Sequence, residues 1–140
     1  WYPQVFSILN HLPLGATIHE IDEELDHGSI IDQEEVRIGL DDTSLSAYRR
    51  VQDAEFRLLE KNLKNILDNK YSTHEVHAKG NLNLKKDFEH LRKLDLNEQT
   101  TFADAIDRLR ALTHPPFKNA YFIDPETQKK IWVEIILKKE

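Results

Sequence analysis

An α/β fold is predicted by three features of the sequence. Two stretches near the start, 15–21 and 30–38, carry the alternation of apolar and polar residues expected of strands. Two longer stretches, 44–68 and 101–112, repeat apolar residues at helical spacing. The stretch from Asn119 to the end holds two short β-type runs around a turn. At 140 residues the chain is the size of one domain.

The elements follow in order. Pro3 suits the first turn of a helix, and Val5, Phe6, Ile8 and Leu9 form its apolar stripe. This helix should stop near Asn10–Pro13, because proline disfavours helical geometry in the residue before it. Gly15–Ile21 reads as the first strand. It runs into Asp22-Glu23-Glu24-Leu25-Asp26-His27-Gly28, a carboxylate-rich turn closed by glycine. In the second strand, Ile30–Ile38, Ile30, Asp32, Glu34, Val36 and Ile38 share one face, and its polarity predicts a place near a sheet edge. Asp41-Asp42-Thr43-Ser44 supplies side-chain oxygens for a helix start. The following helix shows Leu45, Tyr48, Val51, Phe56, Leu59, Leu63 and Ile66 as its apolar positions, with Arg49, Arg50, Arg57, Lys61 and Lys64 mostly on the other face. Residues 69–97 are polar and mixed, and read as a connection with a short irregular or edge strand. Thr100 or Thr101 caps the next helix, striped by Phe102, Ala105, Ile106, Leu109 and Leu112. Asn119–Ile123 and Lys130–Leu137 then form a hairpin. Its last strand is apolar on both faces, Trp132 and Ile136 on one and Ile131, Val133, Ile135 and Leu137 on the other. One face suits the chain's own core and the other a partner.

Composition narrows the functional classes. A net charge of −6 argues against a nucleic-acid surface, which needs clustered Lys and Arg. No apolar run is long enough to span a bilayer. The absence of cysteine excludes thiol catalysis and fits a reducing cytoplasm. The chain has no methionine and opens on Trp1 within an apparent amphipathic element, so a fragment of a longer protein is expected.

Two segments carry chemistry. In the acidic turn the carboxylates, with His19 and His27, match neither the HExxH helix pattern nor an EF-hand, so no metal is assigned. Asp26 stands directly before a His-Gly turn at a strand end, where a carboxylate can orient an imidazole or take a proton through water. On residue type alone it can equally be a solvated structural residue. The second segment is His114-Pro115-Pro116-Phe117-Lys118-Asn119-Ala120-Tyr121-Phe122. Phe117 and Tyr121 offer faces for stacking a base or sugar, and Lys118, Asn119, Arg108 and Arg110 can meet phosphate. The same residues also suit a plain helix-to-hairpin turn with its aromatics in the core.

GATIHEIDEELDHGSIIDQ resembles the formyltetrahydrofolate-dependent formyltransferases, which carry a G-x-T-x-H strand followed by a D-x-x-x-D-x-G loop. Trp1-Tyr2-Pro3-Gln4 looks like the family segment that follows an Arg-Gly after the catalytic histidine. The long helix resembles the one that closes the family's catalytic domain. The stretch from Ile106 to Phe122 is similar to the C-terminal region of the sugar-nucleotide N-formyltransferases. The resemblance implies the second half of a Rossmann-like formyltransferase domain over 1–70 (helix, two strands, long helix) and a connecting region over 71–99. A helix and β-hairpin subdomain over 100–140 then serves nucleotide-sugar contact and dimerisation.

It further implies transfer of a formyl group from N10-formyltetrahydrofolate to a dTDP-amino-dideoxyhexose, the 4-amino compound favoured over the 3-amino, for surface polysaccharide (O-antigen) synthesis in the cytoplasm. Asp26 matches the family's catalytic aspartate. Asp22, Glu23, Glu24, Leu25 and Gly28 match the loop lying against the pterin. Trp1, Tyr2, His114, Phe117, Lys118, Asn119 and Tyr121 fall where the nucleotide-sugar is held, and a homodimer through the C-terminal hairpin is implied. The family's catalytic N-x-H pattern occurs nowhere in the 140 residues, so the chain alone is expected to be inactive. Two other readings stay open. One is a self-associating module without catalysis. The other is part of a methionyl-tRNA formyltransferase, against which the acidic charge counts.

Overall fold

The computed structural model describes residues 2–21, 28–75 and 82–140. Its elements, in chain order, are α1 (Pro3–Asn10), β1 (Leu14–His19), β2 (Ile30–Val36), α2 (Ser44–Leu67), α3 (Lys85–Arg92), α4 (Phe102–Leu112), β3 (Ala120–Ile123) and β4 (Lys130–Val133). The class is α/β, with two antiparallel strand pairs, β1–β2 and β3–β4. The chain divides into two compact units. One comprises Trp1–Leu12, Ile38–Tyr48 and Leu82–Glu140, and the other Pro13–Arg37 and Arg49–Asn81.

In the second unit β1 and β2 pair from Leu14↔Val36 to Ile18↔Asp32, with an irregularity before His19↔Ile30. Ala16 and Val36 pack with Ala54 and Leu58 of α2, flanked by Ile18 and Val51. The buried stripe of α2 here is Ala54 and Leu58, with Val51 half-buried beside them. Several bulky apolar positions read from the sequence are outside it: Phe56 is 71% exposed, and Leu59 and Leu63 are exposed as well. The cause lies in β2, whose face toward the helix mixes apolar side chains with carboxylates. Asp32 accepts hydrogen bonds from Lys61 Nζ at 2.8 Å and Asn62 Nδ2 at 2.7 Å, and Glu34 pairs with Arg57. Alanine allows close approach and the basic residues flank it, so the polarity of β2 reflects pairing with α2. The bonds from Lys61 and Asn62 hold the Asp32 carboxyl below the usual carboxylate range.

In the first unit α1 packs on α4. Val5, Phe6, Ile8, Ala47, Phe88, Ala111, Leu112 and Ala120 are its buried apolar residues among those described. Helix α1 starts at Pro3 and stops at His11, whose left-handed backbone turns its N–H back to Ser7 O. Thr101, rather than Thr100, caps α4 by accepting from Asp104 N. Helix α3 replaces the irregular or edge strand expected in 69–97. Its start is held by Asp87 Oδ2, which accepts from Leu84 N at 2.8 Å. Among the described residues, strand pairing in that region is reduced to single bridges at His74 and Lys93. The hairpin pairs Ala120↔Val133 to Ile123↔Lys130 and is shorter than expected. Past it, Ile135 N donates to Thr113 Oγ1.

Candidate functional site

A buried arginine organises the first unit. Arg110, on α4, is 3% exposed. Its Nε donates to Asp107 Oδ1 at 2.6 Å, and its Nη1 donates to Gly39 O at 2.9 Å and Asp42 O at 3.0 Å. The cation is thus spread over a carboxylate and two carbonyls of the turn that leads into α2, which supplies the pairing a buried charge needs. Asp42 itself caps that turn, accepting from Gly39 N and from the Ser46 hydroxyl. Leu45 N donates to Thr113 O, so the start of α2 and the end of α4 are joined twice.

That junction places Ser44 beside His114, with Ser44 Oγ and His114 Nδ1 3.0 Å apart. The imidazole lies between two rings, its centroid 5.6 Å from Tyr48 and 5.8 Å from Phe117. The Tyr2 and Phe88 rings stack with centroids 4.0 Å apart. A cavity of about 420 Å³ opens between these groups, lined also by Gln4, Val5 and Asn119. Among the described residues its wall holds four aromatic rings besides the imidazole, and no Lys or Arg. Asn119 is fixed there by donating from Nδ2 to Leu112 O at 3.0 Å. The Pro115–Pro116 peptide is cis, and Phe117 N closes the turn onto His114 O. Such a lining suits a flat ring with polar edges.

The second unit holds the base of the acidic loop. Asp22, Glu23, Glu24, Leu25 and Asp26 lie outside the described residues, as does Trp1. Glu20 N donates to Ser29 O at 2.9 Å. A Cβ on Gly28 would come within 1.7 Å of Glu20 O, so only glycine fits where the two ends of the loop close. Ile30 and His74 exchange two backbone bonds of 2.9 Å. Tyr71 Oη donates to Glu20 Oε1 at 2.9 Å, which raises the Tyr71 phenol above its ordinary range. Segment 71–74 therefore holds the entering strand through Tyr71 and the leaving strand through His74.

Of the expected nucleotide-sugar residues, Tyr2, His114, Phe117 and Asn119 meet in the cavity. Lys118 and Tyr121 do not line it. The Lys118 carbonyl accepts from Arg92, and the Tyr121 ring packs edge-on against Trp132 with Lys130 Nζ 4.3 Å above it. The two arginines considered for phosphate are engaged elsewhere. Arg110 is buried, and Arg108 donates to Leu91 O and Lys93 O and pairs with Glu98. Gln4, Ser44, Tyr48 and Phe88 enter the cavity unforeseen. Leu84, Phe88 and Leu91 stand at i, i+4 and i+7, the spacing that signals α3.

Comparison with known proteins agrees with both segments. Residues 12–63 match the formyl transferase family model, and residues 87–139 match the N-formyltransferase dimerization C-terminal domain. A Mycobacterium bovis protein named dTDP-4-amino-4,6-dideoxyglucose formyltransferase is 49% identical over all 140 residues, which cover 59% of its length. The crystal structure of a 4-N formyltransferase from Francisella tularensis is 47% identical with a TM-score of 0.94, over 100% of this chain and 57% of that one. An N-formyltransferase from Helicobacter canadensis, solved with folinic acid and dTDP-3-aminofucose, is 26% identical with a TM-score of 0.69, over 79% of this chain and 41% of that one. The chain thus spans a little over half the length of the first two relatives. With both domain matches in order and similarity along all 140 residues in sequence and fold, the chain is similar throughout to the sugar N-formyltransferases.

Proposed function

We propose that these residues form part of an N-formyltransferase acting on a dTDP-4-amino-dideoxyhexose, with N10-formyltetrahydrofolate as formyl donor. The observation that carries this is the 49% identity, along the whole chain, to a relative named for a dTDP-4-amino sugar. The folate donor is supported by the folinic acid held in the Helicobacter relative. On this reading 1–70 is the second half of a Rossmann-like catalytic domain, 71–99 a connection and 100–140 a helix and hairpin subdomain. The work takes place in the cytoplasm and serves surface polysaccharide synthesis.

The reaction is acyl transfer. The sugar amine attacks the formyl carbon, a new C–N bond forms, and the bond from that carbon to N10 of the folate breaks. The amine's proton leaves and N10 gains one. A histidine and an asparagine from an N-x-H outside these 140 residues would stabilise the tetrahedral oxyanion. Asp26 would orient that histidine and assist proton removal from the attacking amine. Asp22–Gly28 would lie against the pterin, with Gly28 fixing the width of the loop at its base. Tyr2, His114, Phe117 and Asn119, with Trp1, Lys118 and Tyr121 nearby in sequence, would hold the nucleotide-sugar. A homodimer through the hairpin is supported by the domain match and by the exposed Ile131, Trp132 and Ile136.

A chimera tests the assignment. In it, these 140 residues replace the aligned stretch of the Mycobacterium bovis relative. It is expected to formylate dTDP-4-amino-4,6-dideoxyglucose, and Asp26→Asn should lower kcat on the order of 100-fold or more. The 140 residues alone should show no turnover. An inactive but folded chimera, or one indifferent to Asp26→Asn, overturns the assignment.

A further inference from the structure

We infer that Arg92 is a positioning residue for segment 117–119, and that it sets how tightly the nucleotide-sugar is held by fixing the backbone of that segment. This rests on the nucleotide-sugar reading above and deepens it. Three observations carry it. Arg92 ends α3 and turns one edge of its guanidinium onto two successive carbonyls. Its Nη2 donates to Lys118 O at 3.1 Å and its Nε to Asn119 O at 3.3 Å, while Nη1 donates to Glu89 Oε2 at 2.9 Å. The clamp is itself anchored. Arg108 donates to Leu91 O and Lys93 O, on either side of Arg92, and Leu94 N donates to Tyr121 O at 2.8 Å. Both carbonyls are thereby engaged, and Asn119 Nδ2 is given to Leu112 O. What the segment offers a ligand is then its side chains, with Phe117 and Lys118 both exposed.

A guanidinium carries its N–H groups in a rigid fork and can grip two carbonyls at once, whereas an ammonium is a point donor. The Arg92 side chain is 25% exposed, so most of the clamp is shielded from water. The segment is fixed at one end by the Phe117 N–H on His114 O and at the other by buried Ala120. Arg92 fixes what lies between. Side chains that meet a substrate must be held to within about 0.5 Å, and that precision comes from the backbone that carries them. A contact remote from the reacting amine holds substrate and transition state alike, so its loss should appear in KM and not in kcat.

Arg92→Lys keeps the charge and loses the fork. In the chimera it should raise KM for dTDP-4-amino-4,6-dideoxyglucose about tenfold, with kcat and KM for the folate donor within about twofold of the parent. Glu89→Gln leaves both carbonyl bonds in place and should keep all three within about twofold. The 140-residue chain gives a readout without turnover. Titrated dTDP should shift the backbone amides of Lys118 and Asn119, and Arg92→Lys should weaken it about tenfold. Should Arg92→Lys fail to fold, Arg92→Gln takes its place in both measurements. An unchanged KM, an equal loss in kcat, or an equal effect of Glu89→Gln overturns the inference. So does a parent chain that binds no dTDP, or a folded Arg92→Lys chain that binds it as tightly as the parent. Any of these results with an active chimera refutes only this inference. Weakened dTDP binding in Arg92→Lys with an inactive chimera refutes only the formyltransferase assignment.

Discussion

The aromatic cavity and the base of the acidic loop are built by opposite means. The cavity gathers side chains from four stretches far apart in sequence: 2–5, 44–48, 88 and 114–119. The loop base is mostly backbone. Glu20 pairs with Ser29, Ile30 pairs with His74, and Gly28 packs on the Glu20 carbonyl. A site made of distant side chains depends on whatever fixes those segments together. One made of backbone depends on few side chains, but on those absolutely.

The largest test of this contrast is Arg110→Met. Removing the guanidinium strands the half-buried Asp107 carboxylate and the carbonyls of Gly39 and Asp42 that it bridges. Breaking a buried, hydrogen-bonded ion pair should cost about 3 kcal/mol or more, seen as a lowered denaturant midpoint. The Ser44–His114 contact should be lost with it. A cost under about 1 kcal/mol would mean that the cavity does not depend on the knot.

Next comes Gly28→Ala. A methyl at this position meets backbone at 1.7 Å, so the strand ends must separate. A loss of about 2 kcal/mol is expected, together with lower activity in the chimera. Ser29→Ala is the contrast, since Ser29 contributes its carbonyl to the loop base. It should stay within about 0.5 kcal/mol of the parent in the same unfolding measurement. Equal effects of the two changes would contradict a backbone-built base.

The same contrast explains what could be read in the sequence. The strand, acidic turn, glycine and second strand form a contiguous local pattern, and the antiparallel pair and the closing Gly28 follow from it. The cavity was legible only in part. His114, Phe117 and Asn119 sit in one segment and Tyr2 opens α1, but Ser44 and Tyr48 come to them only through the Arg110 and Thr113 contacts between α4 and α2. Arg110 itself read as a phosphate ligand, because burial of an arginine by backbone carbonyls leaves no local signature. Helix α2 was placed correctly, but its buried side was not. Apolar size pointed to Phe56, Leu59 and Leu63, whereas the fit to β2 selects Ala54 and Leu58 with Lys61 and Arg57 beside them.

The smallest expected effect lies in that seam between β2 and α2. The bonds from Lys61 and Asn62 hold the Asp32 carboxyl low when folded. Between the folded and unfolded values the unfolded chain binds more protons. The stabilisation is therefore present above the unfolded value of about 3.9 and is lost as pH falls through the folded one. Asp32→Asn removes this dependence, so its unfolding midpoint should fall less than the parent's between about pH 5 and pH 3. Lys61 is 69% exposed, so the difference should be a few tenths of a kcal/mol and should shrink with added salt. The comparison with Arg110 then turns on burial and on the two carbonyls that Arg110 also bridges. Both cations meet a carboxylate at hydrogen-bond distance, yet one is solvated and dispensable while the other is enclosed and holds a cavity together.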